Sequence, residues 1–365
     1  MTYITLIIHI RIYNCHWRKS EMKKQLLPLI IATGLLASCG TTPVESSKEA
    51  SSAAATSESV TWVSPTGSPT LAFYDQGDND KWLSTATPEN VIPGAFASAS
   101  YDAIVFDGVS GLTMIKNMNR AYKLAKWINE GSFYVVSTKH AAGEEVAANS
   151  KPTVNAFVST GNASKAFRDL AKNKWNWGTY GDGSEPDAAI TYESGVADVR
   201  THLLGSDPDA FDYYVVAEPV LTAVQNQYKQ QNKTLNVIYN IQTEFAAAHD
   251  GAKVPAAAIF VSNAAYETKK AEIDTWLSET QTRIDNVKSN ASVAVSAVKA
   301  YEDKGGDSQA RFGVPSTMIN LQQVVGENKL AYLASSDVTD NAAVANGFNS
   351  ALGAALTFDA SCFLS

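Results

Sequence analysis

The residue with the clearest chemistry of its own is Cys39, which directly follows Leu36-Ala37-Ser38. A thiol in that position completes a lipobox, the bacterial pattern for attaching a diacyl lipid to a cysteine and cleaving the chain ahead of it. The charged start Met22-Lys23-Lys24 and an apolar run over 26–36 precede it, as in a secretory signal peptide. We therefore interpret residues 22–39 as a lipoprotein signal peptide and Cys39 as its lipidated (palmitate-bearing) residue. The alternative is a short buried helix with an incidental cysteine.

A second set of candidate residues follows the short apolar runs that we interpret as strands. Ligands of α/β proteins bind outside the carboxyl ends of strands, so this rule selects ligand-binding candidates directly. The rule selects Phe73, Tyr74, Asp75, Gln76, Asp107, Gly108, Val109, Ser159, Thr160, Gly161, Asn162, Tyr192, Glu193, Ser194, Glu218 and Pro219.

These candidates offer several kinds of contact, each with an ordinary structural alternative. The N–H groups of residues 159–162 form an anion cradle if a helix starts there, or the segment is a plain helix cap. Phe73 and Tyr74 stack on a flat ligand, although strand alternation sends at least one of them into the core. Glu218 accepts hydrogen bonds from an amine, or caps the helix that Pro219 begins.

The ligand class follows from which charges are missing among these candidates. None of the selected loop residues is Lys or Arg, whereas a buried anion normally needs charge-assisted donors. The acidic Asp75, Asp107 and Glu218 point toward an organic heterocycle or amine instead of a bare anion.

Catalytic and metal-binding patterns find little support. His140, His202 and His249 are not spaced as metal ligands, and Ser110 fails the last position of a nucleophile elbow. The acidic stretch 75–80 lacks the spacing of a calcium loop and is interpreted as a solvated turn. We expect no enzyme activity, no cofactor and no metal.

Composition limits the partners and the location. The chain has 365 residues, 45% hydrophobic content and a formal net charge of −8, and this acidic balance argues against nucleic-acid binding. No run after the signal reaches the ~20 apolar residues that cross a bilayer. The location expected is the outer face of the cell membrane, on the periplasmic side where an outer membrane exists, with contact to the membrane through the lipid alone.

The order of elements predicts an α/β fold with mostly parallel strands, because strands, Gly-containing turns and helices alternate. The predicted strands are 69–74, 101–106, 122–128, 132–137, 153–158, 188–192, 211–217, 235–239 and 256–261. Predicted helices cover 163–172, 195–204, 219–230, 263–287, 290–303, 316–325 and 341–356, and the last of these are expected to return to the first domain.

The amino-terminal region divides into a leader and a tether. The signal is complete without residues 1–21, so we interpret these as a mis-assigned leader and Met22 as the true start. An extended signal peptide is the alternative. Residues 40–62, rich in Ser, Thr, Ala and Glu, are expected to be a flexible tether.

Several stretches, taken in order behind the lipobox, resemble the solute-binding lipoproteins of ABC importers. The branch resembled serves nitrate, sulfonates, taurine and thiamine precursors. The stretches are Pro65-Thr-Gly-Ser-Pro-Thr-Leu-Ala-Phe-Tyr74, Tyr101-Asp-Ala-Ile-Val-Phe-Asp107 with Gly111-Leu112 and Tyr122-Lys-Leu124, Gly131-Ser-Phe-Tyr-Val-Val136, and Asp212-Tyr-Tyr-Val-Val-Ala-Glu218-Pro219-Val-Leu-Thr222.

The resemblance implies a two-lobed type II periplasmic-binding fold with a ligand cleft between lobes that close about a hinge. It implies lobe one over 63–150 plus 235–365 and lobe two over 151–234. The implied function is capture of a small organic solute (a sulfonate, amine or heterocyclic vitamin precursor) for an ABC permease with a cytoplasmic ATPase. The alternatives are a surface adhesin or ligand sensor on the same scaffold, or a carrier for a bare anion such as nitrate.

Overall fold

The computed structural model describes residues 59–76, 81–118, 120–182, 187–290, 292–313 and 329–365. The signal peptide, Cys39, most of the tether and the helix expected over 316–325 lie outside these residues. Val60 and Trp62 are buried, so the folded body starts slightly before the expected tether end at residue 62.

The described residues contain ten strands, eleven α-helices and two 3-10 helices, and strands and helices alternate as the sequence predicts. The strands are β1 (Trp62–Pro65), β2 (Trp82–Thr85), β3 (Ala103–Asp107), β4 (Tyr122–Trp127), β5 (Phe133–Ser137), β6 (Val154–Phe157), β7 (Ile190–Glu193), β8 (Tyr213–Ala217), β9 (Asn236–Asn240) and β10 (Ala257–Ser262). The helices are α1 (Pro88–Ser98), α2 (Gly108–Asn117), α3 (Asn162–Asn173), α4 (Val196–Leu204), α5 (Val220–Gln230), α6 (Ile241–Ala248), α7 (Asn263–Thr268), α8 (Lys270–Ser289), α9 (Ser292–Asp303), α10 (Ser308–Phe312) and α11 (Asn341–Ala351).

The strands form two five-stranded sheets with the same internal arrangement. The first sheet has the order β2-β1-β3-β10-β4 and the second the order β7-β6-β8-β5-β9. In each sheet three parallel strands are followed by one antiparallel strand and then a fifth strand. Four of the five strands therefore run the same way, which confirms the mostly parallel α/β prediction.

The antiparallel strand of each sheet is reached by a segment that crosses between the sheets. Chain 128–132 leaves β4 for β5, and chain 249–256 returns from α6 to β10. The two crossings pair with each other: the Gly131 N–H donates to the Val254 carbonyl at 2.8 Å, and Glu130 bridges to Pro255. Strands β5 (133–137) and β9 (236–240) thus belong to the second sheet, although the lobe boundaries expected from the sequence assign these segments to lobe one.

Both faces of each sheet are covered, as near-continuous apolar strands require. Alternating residues serve different cores: Ile104 belongs to one cluster, whereas Val105 joins Trp276 on the opposite face. In the second sheet Val215 and Val216 divide between two clusters in the same way. Successive side chains of a strand point to opposite faces of the sheet, and this determines which helices each residue can pack against.

One predicted strand is wrong. Ser68–Phe73 forms a 3-10 helix, because Pro69 occupies its first turn and Leu71, Ala72 and Phe73 all enter one buried cluster. There Phe73 lies 5.6 Å from Trp276, ring centroid to centroid, in a stacked arrangement. The strand that starts the first sheet is Trp62–Pro65 instead.

The carboxyl-terminal segment returns to the first sheet, as predicted. The Trp127 indole N–H donates to the Asn341 carbonyl at 3.2 Å, and Leu124 forms a parallel bridge with Phe363. Within the residues described, no helix is long and apolar enough to span a membrane.

Candidate functional site

A cavity of about 230 Å³ lies where the carboxyl ends of the parallel strands of both sheets meet. It is smaller than the ~300–1,000 Å³ of pockets for drug-sized ligands, which suits a small solute. Its described lining consists of Pro65, Thr66, Gly67, Ser68, Pro69, Ala86, Pro88, Glu89, Phe106, Asp107, Ser110, Asn129, Ser132, Phe133, Phe157, Val158, Gly161, Asn162, Ala163, Gly195, Val196, Ala197, Ala217, Glu218, Pro219, Val220, Ala256, Ala257, Gln309 and Gly313.

The two sheets contribute to this cavity in equivalent ways. In the first sheet the ends of β1, β2 and β3 supply Thr66, Ala86 and Asp107. In the second sheet the cavity is lined by residues of the segments that connect β6 to α3, β7 to α4 and β8 to α5. Each parallel strand thus delivers one turn to the same space, which is the arrangement expected of a ligand site in open α/β sheets.

Asp107 joins the two sides of the cavity. One carboxylate oxygen, Oδ1, caps helix α2 by accepting the Ser110 N–H at 2.8 Å. The other, Oδ2, accepts the Asn162 N–H at 3.2 Å, at the start of α3 on the second sheet. Desolvation raises the pKa of the Asp107 carboxyl, although nearby Lys165 and these hydrogen bonds act in the opposite direction.

Two further hydrogen bonds hold the α3 start against the first sheet. The Ser110 hydroxyl donates to the Thr160 carbonyl at 3.3 Å. The Asn162 Nδ2 donates to the Pro255 carbonyl at 2.8 Å, in the returning crossing segment. Asn162 is only 1% exposed, and its Oδ1 has no hydrogen-bond partner among the described residues. The cavity wall therefore contains a buried acceptor.

Glu218 is buried, and its carboxylate has a local structural role. Its Oε2 accepts the Thr222 N–H at 3.0 Å and its Oε1 accepts the Thr222 hydroxyl at 2.9 Å, so it caps the first turn of α5. Its own N–H donates to the Ser132 carbonyl. The capping alternative considered from the sequence is therefore the one observed.

Glu89 lies in the first turn of α1 and was not predicted from the sequence. Its Oε2 is shielded from solvent and has no hydrogen-bond partner among the residues described. Desolvation, with a smaller effect from Asp198, raises the pKa of Glu89. An unpartnered carboxylate oxygen on a residue of the cavity lining suits a ligand that donates hydrogen bonds.

The crossing segments contribute polar groups and hydrogen bonds beside the cavity. The Asn129 Oδ1 accepts the Ala257 N–H at 3.0 Å, and its Nδ2 donates to the Ser68 hydroxyl at 3.1 Å and the Leu330 carbonyl at 3.2 Å. The Tyr332 hydroxyl donates to the Ser68 carbonyl. These bonds fix the crossing segments beside the cavity and anchor the turn after β1.

The charged lining residues that the structure describes are all acidic. They are Glu89, Asp107 and Glu218, while Lys, Arg and His are not among the described residues that line the cavity. Groups of His, Cys, Asp and Glu able to hold a metal ion are likewise not found in the described parts of the chain.

The structure brings five of the predicted site residues together at the cavity. They are Asp107, Gly161, Asn162, Glu218 and Pro219. Their role in ligand binding stays a prediction.

The other predicted site residues in the first half of the chain do not line this cavity. Phe73 and Tyr74 are buried in the Trp276 cluster, since the segment is a 3-10 helix and not a strand. Asp75 accepts a hydrogen bond from the Arg283 Nε at 2.6 Å, and Gln76 follows it. Gly108 and Val109 lie inside α2, where a Cβ at Gly108 would lie 1.9 Å from Trp127 Cζ3.

The remaining predicted residues flank the second sheet's side of the cavity. Ser159 and Thr160 precede the α3 start, and the Ser159 carbonyl accepts a hydrogen bond from Arg168. The Tyr192 hydroxyl accepts from Arg168 at 2.8 Å. Glu193 accepts from the Asn155 Nδ2 at 2.8 Å, and Ser194 donates to Asp198.

Sequence reasoning missed the polar residues that follow β2. The strand Trp82-Leu-Ser-Thr85 has buried ends and two more exposed middle positions, and it is followed by Thr87-Pro88, a helix start. With that strand recognised, the strand-end rule would have selected Ala86 and the α1 start that carries Glu89.

Comparisons with known proteins place the fold. No protein-family model and no curated protein sequence matches this chain. Among solved structures, an ABC transporter from Parabacteroides distasonis matches with a TM-score of 0.54 at 14% identity, covering 84% of this chain and 99% of that one. The periplasmic aliphatic sulphonate binding protein SsuA from Escherichia coli matches with a TM-score of 0.53 at 10% identity, covering 80% and 90%.

A third structure extends the range of ligands found on this fold. The ligand-binding component of an ABC-type import system from Staphylococcus aureus, with zinc bound, matches with a TM-score of 0.54 at 10% identity, covering 80% of this chain and 91% of that one. At these identities the likeness shows the fold alone, and it is the periplasmic-binding fold that the sequence resemblance implied.

Proposed function

We propose that the protein is the extracytoplasmic solute-binding component of an ABC importer, which captures a small organic solute and delivers it to a permease. The observation that carries this proposal is the cavity itself. Strand ends and helix starts of two similarly ordered sheets surround it, and two paired segments connect those sheets beside it. The proposed role is capture and release without chemical change of the ligand.

The proposed mechanism uses the two sheets as lobes. Lobe one comprises about 59–128 plus 257–365, and lobe two about 133–248, with the crossing segments as the hinge. In this mechanism, contacts such as that of Asp107 Oδ2 with the Asn162 N–H, which the structure contains, break when the lobes open. A ligand that touches both lobes binds the closed state more tightly and so shifts the population toward it.

The lipid anchor gives this carrier its location. Cys39 behind the lipobox would hold the protein at the outer face of the cell membrane, and the Ser- and Thr-rich chain after it would allow the lobes to reach a permease. Cys39→Ser should release the protein into the soluble fraction with ligand affinity unchanged. Retention of the Ser variant in washed membranes would contradict the anchor.

The proposed function is tested by a thermal-shift screen of the mature protein against small organic solutes, including sulfonates, amines and vitamin precursors. Because a ligand that binds only the folded state raises the apparent stability, a cognate solute at 100 times its Kd adds about 2.7 kcal/mol. We expect at least one saturable stabilisation that calorimetry confirms at one site per chain. Absence of any such solute, with binding to host surfaces instead, would favour an adhesin.

A further inference from the structure

We propose that the ligand is an organic cation, whose ammonium or amidinium group is received by Glu89 and Asn162 while its apolar body packs on phenylalanine rings. This inference rests on the proposed function and names the solute class for the same cavity. Four features of the cavity wall support it.

The first feature is the sign of the charges. Three carboxylates and no basic side chain stand among the lining residues that the structure describes. Two of the carboxylates already have partners: Asp107 accepts two backbone N–H groups and lies near Lys165, and Glu218 accepts from Thr222 twice. Glu89 is the carboxylate whose Oε2 lacks a described partner, so its charge is the one that a ligand cation would neutralise.

The second feature is the state of the α3 start, the place where an anion would bind. A helix amino terminus attracts anions through its unpaired N–H groups. Here Asp107 Oδ2 already accepts the Asn162 N–H at 3.2 Å. An anionic ligand at this position would have to displace the carboxylate or lie beside it, and like charges in a desolvated site repel strongly.

The third feature is the buried amide of Asn162. This side chain is 1% exposed, its Nδ2 is used by the Pro255 carbonyl, and its Oδ1 lacks a described partner. A buried acceptor without a donor costs about 1–3 kcal/mol, which a ligand N–H would recover. An acceptor amide together with a carboxylate suits a group that carries several N–H donors, as ammonium and amidinium do.

The fourth feature is the apolar part of the wall. Phe106, Phe133 and Phe157 line the cavity, and the rings of Phe133 and Phe157 lie 6.2 Å apart, centroid to centroid. Aromatic faces attract cations as well as apolar groups. A bare inorganic cation would leave these rings without a partner, so the proposed ligand has an organic body.

The test uses matched probes that share one skeleton and differ in charge. Benzylamine, benzyl alcohol and phenylmethanesulfonate are the first set, followed by a wider panel of amines paired with their alcohols and sulfonates. Stabilisation and affinity are measured for the wild type, for Glu89→Gln and for Glu267→Gln. Glu267 is an exposed residue of α7 outside the described cavity lining, so its variant controls for the change in net charge.

We expect amines to stabilise the wild type more than their matched alcohols and sulfonates. Glu89→Gln should weaken amine binding about 10- to 100-fold and leave alcohols unchanged, while Glu267→Gln behaves as the wild type. Tighter binding of sulfonates than amines, or equal amine affinity in wild type and Glu89→Gln, would overturn the cation proposal while solute binding stands. No stabilisation by any member of the panel would contradict solute binding itself.

Discussion

Asp107 Oδ2 lies 3.2 Å from the backbone nitrogen of Asn162, so a carboxylate at the end of β3 in the first sheet caps helix α3 of the second sheet. From the sequence, residues 159–162 form either an anion cradle or a plain helix cap, and the structure places the protein's own Asp107 carboxylate at this helix start. The same carboxylate caps α2 through the Ser110 N–H. One side chain therefore links two helix starts across the cavity.

Removing this link should lower the free energy of unfolding more than removing an ordinary helix cap does. Asp107→Ala deprives two helix starts of an acceptor, each worth about 1 kcal/mol, and leaves a partly buried N–H without its partner. We expect a loss of about 2–3 kcal/mol in the free energy of unfolding, measured by urea titration.

The matched control is Asp340→Ala. Asp340 caps α11 by accepting the Ala342 and Ala343 N–H groups, and it is exposed and makes no bond across the cavity. Its loss should cost about 1 kcal/mol. Equal losses in the two variants would show that Asp107 acts as a simple cap.

The pH dependence of the free energy of unfolding tests the environment of Glu89. Its folded-state pKa is raised above the ordinary value of 4.5 for a glutamate, chiefly by desolvation, with Asp198 acting in the same direction. A raised carboxyl pKa means that the folded state holds the proton more tightly. The free energy of unfolding therefore decreases as pH rises from about the unfolded pKa through the folded one.

Asp107 contributes with the same sign, because its pKa is raised too. Glu89→Gln should therefore reduce the fall in stability over this window without abolishing it, as measured by urea unfolding between about pH 4 and 7. A cationic ligand should reverse part of the fall, since it favours the ionised carboxylate. An unchanged pH profile in Glu89→Gln would contradict the environment assigned to this residue.

Two phenylalanines separate core packing from ligand contact. Phe73 is fully buried among Trp62, Trp82 and Trp276, whereas Phe133 lines the cavity. Phe73→Leu should lower the free energy of unfolding by about 1–3 kcal/mol and leave ligand affinity unchanged. Phe133→Leu should weaken binding of any solute found in the screen. If calorimetry showed weaker ligand binding in Phe73→Leu and unchanged binding in Phe133→Leu, Phe73 would have the stacking role that the sequence suggested.

Two glycines test how tightly α2 packs on the first sheet. A Cβ at Gly111 would lie 2.3 Å from Phe260 Cζ, so Gly111→Ala should cost about 1–3 kcal/mol in urea unfolding. Gly347, inside α11, has no atom within 4 Å of the same position, so Gly347→Ala should stabilise by about 0.5–1 kcal/mol. A similar response at the two sites would contradict the close approach of α2 to β10.

The sequence predicted much of the fold because local pattern and tertiary role agree there. Phe211 to Ala217 reads as a buried strand, and β8 covers Tyr213–Ala217. The segment 69–74 is equally apolar, but residues 71–74 enter one aromatic cluster together and Pro69 starts a 3-10 turn, so composition alone misleads. The sheet that receives β5 and β9 depends on long-range crossings, which local patterns do not encode.

Site residues were predictable only where a strand was recognised. Asp107, Asn162 and Glu218 follow recognised strands, and the structure places them at the cavity. Glu89 follows β2, a four-residue strand whose buried tryptophan and more exposed leucine gave a weak signal. The occupation of the α3 start by Asp107 joins residues 55 positions apart, and no spacing rule anticipates it.

The most direct test of the account fills the cavity. Gly195 lines it with an extended backbone that any residue adopts, and a Cβ there would lie 3.6 Å from its nearest neighbour, the Ala86 carbonyl oxygen. Calorimetry should compare the wild type with Gly195→Phe for each solute that stabilises the protein, with circular dichroism confirming the fold. We predict one saturable site in the wild type and loss of that binding in Gly195→Phe. Equal affinity in both proteins would contradict the cavity as the solute site.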